Sequence, residues 1–182
     1  LVRNGFTGFC LLFLVLSLLV ELRLAFWVSL GIPISFLGAI WLMPTLDVSI
    51  SLMSLFAFIL VLGIVVDDAI IVGENIFTHQ EQHGQGLRGS IDGASEISVP
   101  VIFAVLTTVA TFLPLIFVPG TMGKVMRVIP LIVIPCLIFS LLESLMILPA
   151  HLSGRGRMRR GRRLGPWGHF QGMFSNSLKL FI

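Results

Sequence analysis

Charged residues are scarce. Asp, Glu, Lys and Arg together make up 12% of the 182 residues, where a soluble domain carries about a quarter. So little polar surface excludes an ordinary water-soluble domain of this length, because its exterior could not be covered. Cysteine is nearly missing as well. Cys10 and Cys136 lie in separate apolar runs, which makes them a poor disulfide pair, and neither reads as a metal ligand. His79, His83, His151 and His169 stand at no metal-ligand spacing with acids or cysteines, so no metal is expected. No phosphate loop, Ser/His pair or zinc motif occurs, leaving hydrolysis and ATP-driven work without support. The expectation is a protein that is not an enzyme and takes no cofactor.

Apolar residues are what the chain has in quantity, at 56%. Crossing a hydrocarbon core takes about 20 predominantly apolar residues, and the runs Gly5–Val20, Leu24–Met43, Leu52–Ile76, Val99–Val118 and Val128–Leu148 approach or reach that length. The first is short. These runs predict an all-α membrane protein with a bundle of about five transmembrane helices over residues 1–151. Glu21-Leu-Arg23 leaves room only for a tight turn, so the first two helices are antiparallel. Met43–Asp47 and Pro119–Lys124 read as turns from their Gly and Pro content, and Thr78–Glu96 is the one sizeable polar connection. Pro33, Pro100, Pro114, Pro130 and Pro135 sit in or at the ends of runs, where neighbouring helices, hydroxyls or water can re-satisfy the freed carbonyls. The chain opens at Leu1 inside an apolar run, and Arg3 with Phe6–Val20 resembles a signal peptide without a cleavage site. It reads as a piece of a larger protein.

Basic residues are unevenly placed. Six arginines fall between Arg155 and Arg163. With that cluster cytoplasmic, alternation puts Arg23, Arg88 and Lys179 on the same side, nine basic residues against Arg3, Lys124 and Arg127 outside. The positive-inside rule then runs the third span from the outer face inward. A basic cluster can mark nucleic-acid binding, but one abutting a membrane span is explained more simply by anionic inner-leaflet lipid. Membrane lipid is therefore an expected partner and nucleic acid is not. Trp167, Phe170, Phe174, Leu178 and Phe181 recur at three and four residues. Residues 152–182 are thus predicted to be a basic cytoplasmic segment with an amphipathic interfacial helix; the alternative is the start of a globular domain.

Asp67 and Asp68 interrupt the third run, with Leu55–Val66 before them and Ala69–Val72 after. A carboxylate at the centre of a span is disfavoured by roughly 2.5–3.5 kcal/mol on insertion scales, and the leading role for one that persists is a proton or ion relay. On a helix of about 100° per residue, Asp67 and Glu74 share a face with Gly63, which would let a partner backbone approach closely. Asp68 and Asn75 share an adjacent face. Two negative charges side by side disfavour ionising both, as a proton carrier requires. The competing reading ends the span at Val66 and leaves both acids at its cytoplasmic edge. That reading strands Ile70, Ile71, Val72, Ile76 and Phe77 in or near water. Thr107, Thr108 and Thr111 are hydroxyls at depth, which either bond their own i−4 carbonyls or line a polar path to the acids. Glu143 is a third intramembrane acid, or an interfacial one, since it stands only about two turns before His151.

Gly63-Ile-Val-Val-Asp67-Asp68-Ala-Ile-Ile-Val-Gly-Glu74-Asn75-Ile76 resembles the signature on the fourth transmembrane helix of resistance–nodulation–division efflux transporters. The likeness continues through Gly93–Pro100, Thr107–Phe117 and Ile147-Leu-Pro-Ala-His151 and covers most of residues 20–152. It implies that the five runs are family helices two to six, in the hydrophobe/amphiphile branch. It further implies substrate/proton antiport across a bacterial inner membrane, with the proton as coupling ion and Asp67 and Asp68 as relay acids. A homotrimer, a periplasmic adaptor and an outer-membrane channel are the implied partners. Family members pair these acids with a lysine on a helix of the second half. No such lysine occurs here, and the large periplasmic regions are missing too, so the chain is not expected to pump alone.

Other readings remain from other classes. An intramembrane aspartyl protease needs two acids facing each other from different helices, whereas Asp67 and Asp68 point about 100° apart on one helix, and no Gly-x-Gly-Asp stretch is present. A channel or a protein-export component of the same superfamily, or a metal-ion exporter, would share the acids. The scattered methionines form no ladder within the spans, which leans away from metal. The topology is open to test: single cysteines at Gln85 and Gly120, in a background lacking Cys10 and Cys136, should be labelled from the cytoplasmic and outer sides respectively. Labelling of Gln85 by an impermeant reagent from outside would reverse the orientation.

Overall fold

The structure is a computed structural model that describes residues 2–83 and 86–153; the basic cluster and the amphipathic pattern expected over 154–182 lie outside the described residues. Every element among the described residues is helical. A helix α1 (Val2–Leu19) precedes α2 (Leu22–Leu42). Then come α3 (Leu52–His83), α4 (Leu87–Phe112), a short α5 (Gly120–Met126), α6 (Val128–Leu142) and α7 (Leu148–Leu152). Four stretches are long and apolar enough to cross a membrane: Leu22–Leu46, Leu52–Gln80, Leu87–Phe117 and Gly120–Leu152. A shorter apolar helix, Thr7–Leu18, stands ahead of them. Segments like these become helices because a helix satisfies its own backbone where no water can.

Two expectations about connections change. The polar stretch Thr78–Glu96 is mostly helix, since α3 runs on to His83 and α4 starts at Leu87. Hydropathy marks where a helix leaves the hydrocarbon, not where its ladder stops, and no proline interrupts these residues. Pro119–Lys124 is not simply a turn. Gly120, at φ +81°, reverses the chain in a backbone region that favours glycine, and α5 begins there. Met43–Asp47 does turn, as a 3₁₀ segment closed by Asp47 at φ 52°.

At the start of α3, Ser51 and Ser54 cap each other. The Ser51 N–H donates to Ser54 Oγ (2.6 Å), and the Ser54 N–H donates to Ser51 Oγ (3.2 Å), satisfying two donors that the first turn leaves open. Along α3 the buried positions are Ser54, Ala57, Val61, Val65, Ala69, Val72, Ile76 and Gln80. Their spacing of three and four makes one continuous stripe. Its first half packs with Ile132, Val133 and Cys136 of α6; its second half packs with Ala25 and Val28 of α2 and Leu148 of α7. α3 is the hub of the bundle.

Glycines let its neighbours come close. A Cβ on Gly93 of α4 would stand 2.7 Å from Ile76 Cα, and one on Gly73 would overlap the Leu24 side chain of α2. At one end, the buried Gln80 donates through Nε2 to Ser90 Oγ (2.6 Å) and to the Leu152 carbonyl (3.1 Å). That node fixes Leu152 level with Gln80, so α3 and the α6–α7 segment run in the same direction.

Gly93→Val should separate α4 from α3 and destabilise the bundle by about 1–3 kcal/mol, the usual penalty for overpacking. Gly63→Ala places its Cβ within 4 Å of nothing and should cause no loss. Thermal unfolding in detergent, followed by circular dichroism, compares the two. Equal melting temperatures for wild type and Gly93→Val would refute the close crossing.

Candidate functional site

Asp67 stands 15 residues after Leu52 and 13 before Gln80 in the apolar helix, roughly 20 Å from either end at 1.5 Å per residue. The two acids are therefore near its midpoint, at the junction of the two core clusters. The buried stripe carries on past the acids through Ala69, Val72 and Ile76 to Gln80, so the packed face of the helix does not end at Val66.

The two side chains have different surroundings. Asp67 is exposed, as are Gly63 and Glu74, and these three share the face turned away from the bundle. The close packing expected at Gly63 has no partner among the described residues, because nothing lies within 4 Å of its added Cβ. Asp68 is half-buried, at the margin of the stripe. Asn75, two turns on, is held by α4. Its Nδ2 donates to the Gly93 carbonyl (2.7 Å) and to Glu96 Oε2 (3.3 Å). The same Glu96 oxygen lies 2.8 Å from His79 Nε2. Glu74 extends outward, and its carbonyl accepts from Thr78 Oγ1 (2.9 Å).

All three α4 threonines are engaged with their own helix. Thr107 Oγ1 donates to the Phe103 carbonyl (2.8 Å), Thr108 to Ala104 (3.0 Å) and Thr111 to Thr107 (2.8 Å). Such back-bonding is the common fate of a hydroxyl in a helix interior. Each oxygen keeps acceptor capacity, so a polar lining remains compatible with it.

Glu143 is buried within the fold. It is 5% exposed and opens a π-helical turn, Glu143–Ile147, in which the Leu148 N–H reaches back to the Glu143 carbonyl. Its carboxyl occupies the space over Gly31 of α2, where a Cβ would overlap it. Eight residues on, the exposed His151 accepts at its carbonyl from Arg23 Nη2 (3.0 Å), and its ring lies 4.0 Å from that of Trp27.

Sequence reasoning missed the His79–Glu96 pair and the Gln80–Ser90 node. Gln80 was within reach, because the three-and-four spacing from Ser54 to Ile76 lands on it four residues later. No group of three or more metal-ligating side chains occurs among the described residues. The chemistry this arrangement offers is that of carboxyl groups in an apolar span: gaining and losing protons.

Spanning-length helices around an intramembrane acid pair define an all-α, multi-pass membrane protein. The chain matches the AcrB/AcrD/AcrF family over residues 1–179. It therefore belongs to that family of resistance–nodulation–division transporters, as the motif around Asp67-Asp68 implied. It is similar to an "uncharacterized transporter" of Haemophilus influenzae, 41% identical over 98 residues, which are 54% of this chain and 10% of that protein. It is also similar to "multidrug resistance protein MdtC" of Photorhabdus laumondii, 30% identical over 143 residues, covering 77% of this chain and 14% of that protein. "Swarming motility protein SwrC" of Bacillus subtilis is 33% identical over 122 residues, 65% of this chain and 12% of that protein. The chain thus spans between 10% and 14% of the length of these relatives.

Proposed function

We propose that this chain supplies part of the proton pathway of a secondary active efflux transporter in a bacterial inner membrane, with Asp67 and Asp68 as the groups that load and release the coupling proton. The observation that carries the reading is the position of the pair: mid-length on the hub helix, one acid facing outward and one half-buried. An acid facing lipid is disfavoured, so the Gly63–Asp67–Glu74 face calls for further helices. In this reading a lysine-bearing helix of the second half lies against it. Changing charge on Asp68, which lies beside the α3–α4 contact, would then alter how α4 sits on α3. This couples proton movement to helix movement.

The working unit in this reading is the whole transporter, a homotrimer that meets a periplasmic adaptor and an outer-membrane channel. The names of the relatives support transport but differ in cargo. One is named for multidrug resistance and another for swarming motility, so an export role other than drug efflux is the second reading. A protease is not favoured, because Asp67 and Asp68 diverge from one helix and Glu143 is turned toward Gly31 of α2.

Asp67→Asn and Asp68→Asn keep side-chain shape while removing the titratable proton. In the full-length transporter each should abolish proton-gradient-driven export from reconstituted vesicles, with expression, insertion and trimer assembly retained. Thr111→Val should fall between these and wild type, since its hydroxyl can support a water chain but cannot change charge. Full export by the double Asn variant would sink the relay.

A further inference from the structure

Glu143 is the acid that the Asp67–Asp68 pathway leaves unused, and its surroundings are unlike those of the pair. It is buried at 5% exposure. No hydrogen bond or ion pair reaches its carboxyl among the described residues. One turn earlier on the same buried face, Ser140 is 2% exposed, and its Oγ has no hydrogen-bond partner among the described residues. Two polar groups able to bond a proton or a water thus stand together where apolar packing surrounds them. On α2, Gly31 leaves room for the carboxyl, and the Gly31 carbonyl is engaged by Ser35 Oγ (3.1 Å).

The depth of the site follows from the Gln80–Leu152 contact. Counting nine residues back along each parallel segment sets Glu143 level with Ile71, about one helical turn from Asp67 and Asp68. The charged or titratable groups on the elements packed against the π-turn are distributed as follows. On α2 there is Arg23, bonded to the His151 carbonyl. On α3 the described side chains are Asp67, Asp68, Glu74 and His79, and on α4 Arg88, Asp92 and Glu96; α6 carries Cys136 and α7 carries His151. None of them pairs with Glu143. An ionised carboxylate there would lack a donor and most of its water, a costly way to bury a charge; the acid form needs only one acceptor. π-turns also recur where a helix must adjust its register at functional sites.

We propose that Glu143 is a second intramembrane proton-binding residue. It holds a proton while the Gly31 backbone of α2 covers it and exchanges that proton when α2 withdraws from the π-turn. The binding stands on the geometry of the seam alone; its use in transport rests on the proton-driven reading above. The balance is simple. One proton from water joins the carboxylate as the seam closes, and the same proton returns to water as it opens.

The test is infrared spectroscopy of the carboxylic-acid C=O band of the full-length transporter in lipid vesicles at neutral pH. One acid band should survive in the Asp67→Asn/Asp68→Asn variant and be lost in E143Q, which keeps the side chain's size and is checked for trimer assembly. G31A, whose methyl group enters the carboxyl's place, should weaken or shift that same band. In export assays, E143Q should change the dependence of rate on pH rather than scale the rate equally at every pH, which a merely structural glutamate would do. An E143Q spectrum identical to wild type would overturn the proposal, as would a band that disappears with the Asp pair. Export by the double Asn variant with the Glu143 band intact would instead sink the Asp relay and leave this site standing.

Discussion

The packing of α3 is the constraint on which the other features depend. A single helix contacts α2, α4 and the α6–α7 segment, and it does so through a stripe of small and β-branched residues, from Ala57 to Ile76. Within hydrocarbon there is no hydrophobic force to draw helices together; close van der Waals contact and a few hydrogen bonds must do it. Gly73 against Leu24 and Gly93 against Ile76 provide the first. Gln80 and Asn75 provide the second. A rigid hub of this kind can carry two acids off its stripe without losing its neighbours.

The separation between stripe and acids also divides the labour. Positions that hold the bundle are apolar or fully bonded, while the positions that can change charge sit beside or opposite them. Asp68 is the exception, half-buried at the margin, which is why the proposed coupling to α4 runs through it. Asn75, on the same flank, holds the Gly93 carbonyl and Glu96. That contact lies two turns further along α3 from Asp68.

Much of this was legible in the sequence because hydropathy and helical periodicity are local. The apolar runs, the shared faces of Asp67 with Glu74 and of Asp68 with Asn75, and the back-bonding option of the threonines all follow from spacing along one helix. What escaped depends on partners far along the chain or on polar helix. The extension of α3 to His83 carries no hydropathy signal, since a helix continues in water as well as in lipid. Gly120–Met126 becomes helical although its composition reads as a turn, because glycine supplies the reversal and the next residues are free to wind. For Glu143 the sequence left an intramembrane and an interfacial position equally open, the second from its nearness to His151. Its depth is set instead by the pairing of α7 with α3 through Gln80, a contact across 72 positions.

Glu143 also shows why distance along a helix is a poor guide to function in a bundle. The residues after it, Leu148, Pro149 and Leu152, remain buried against neighbouring helices. A buried end of this kind holds the acid to 5% exposure even though the helix is about to finish. The π-turn follows from the same geometry: Pro149 cannot donate a backbone hydrogen bond, and the ladder just before it is already loosened. A glutamate at the start of such a turn can shift laterally without breaking regular helix on either side. Asp67 and Asp68, within an unbroken run of α-helix from Leu52 to His83, have no such freedom. In the proposed relay their response to a proton would be a movement of the whole helix, whereas that proposed for Glu143 is confined to the seam with α2.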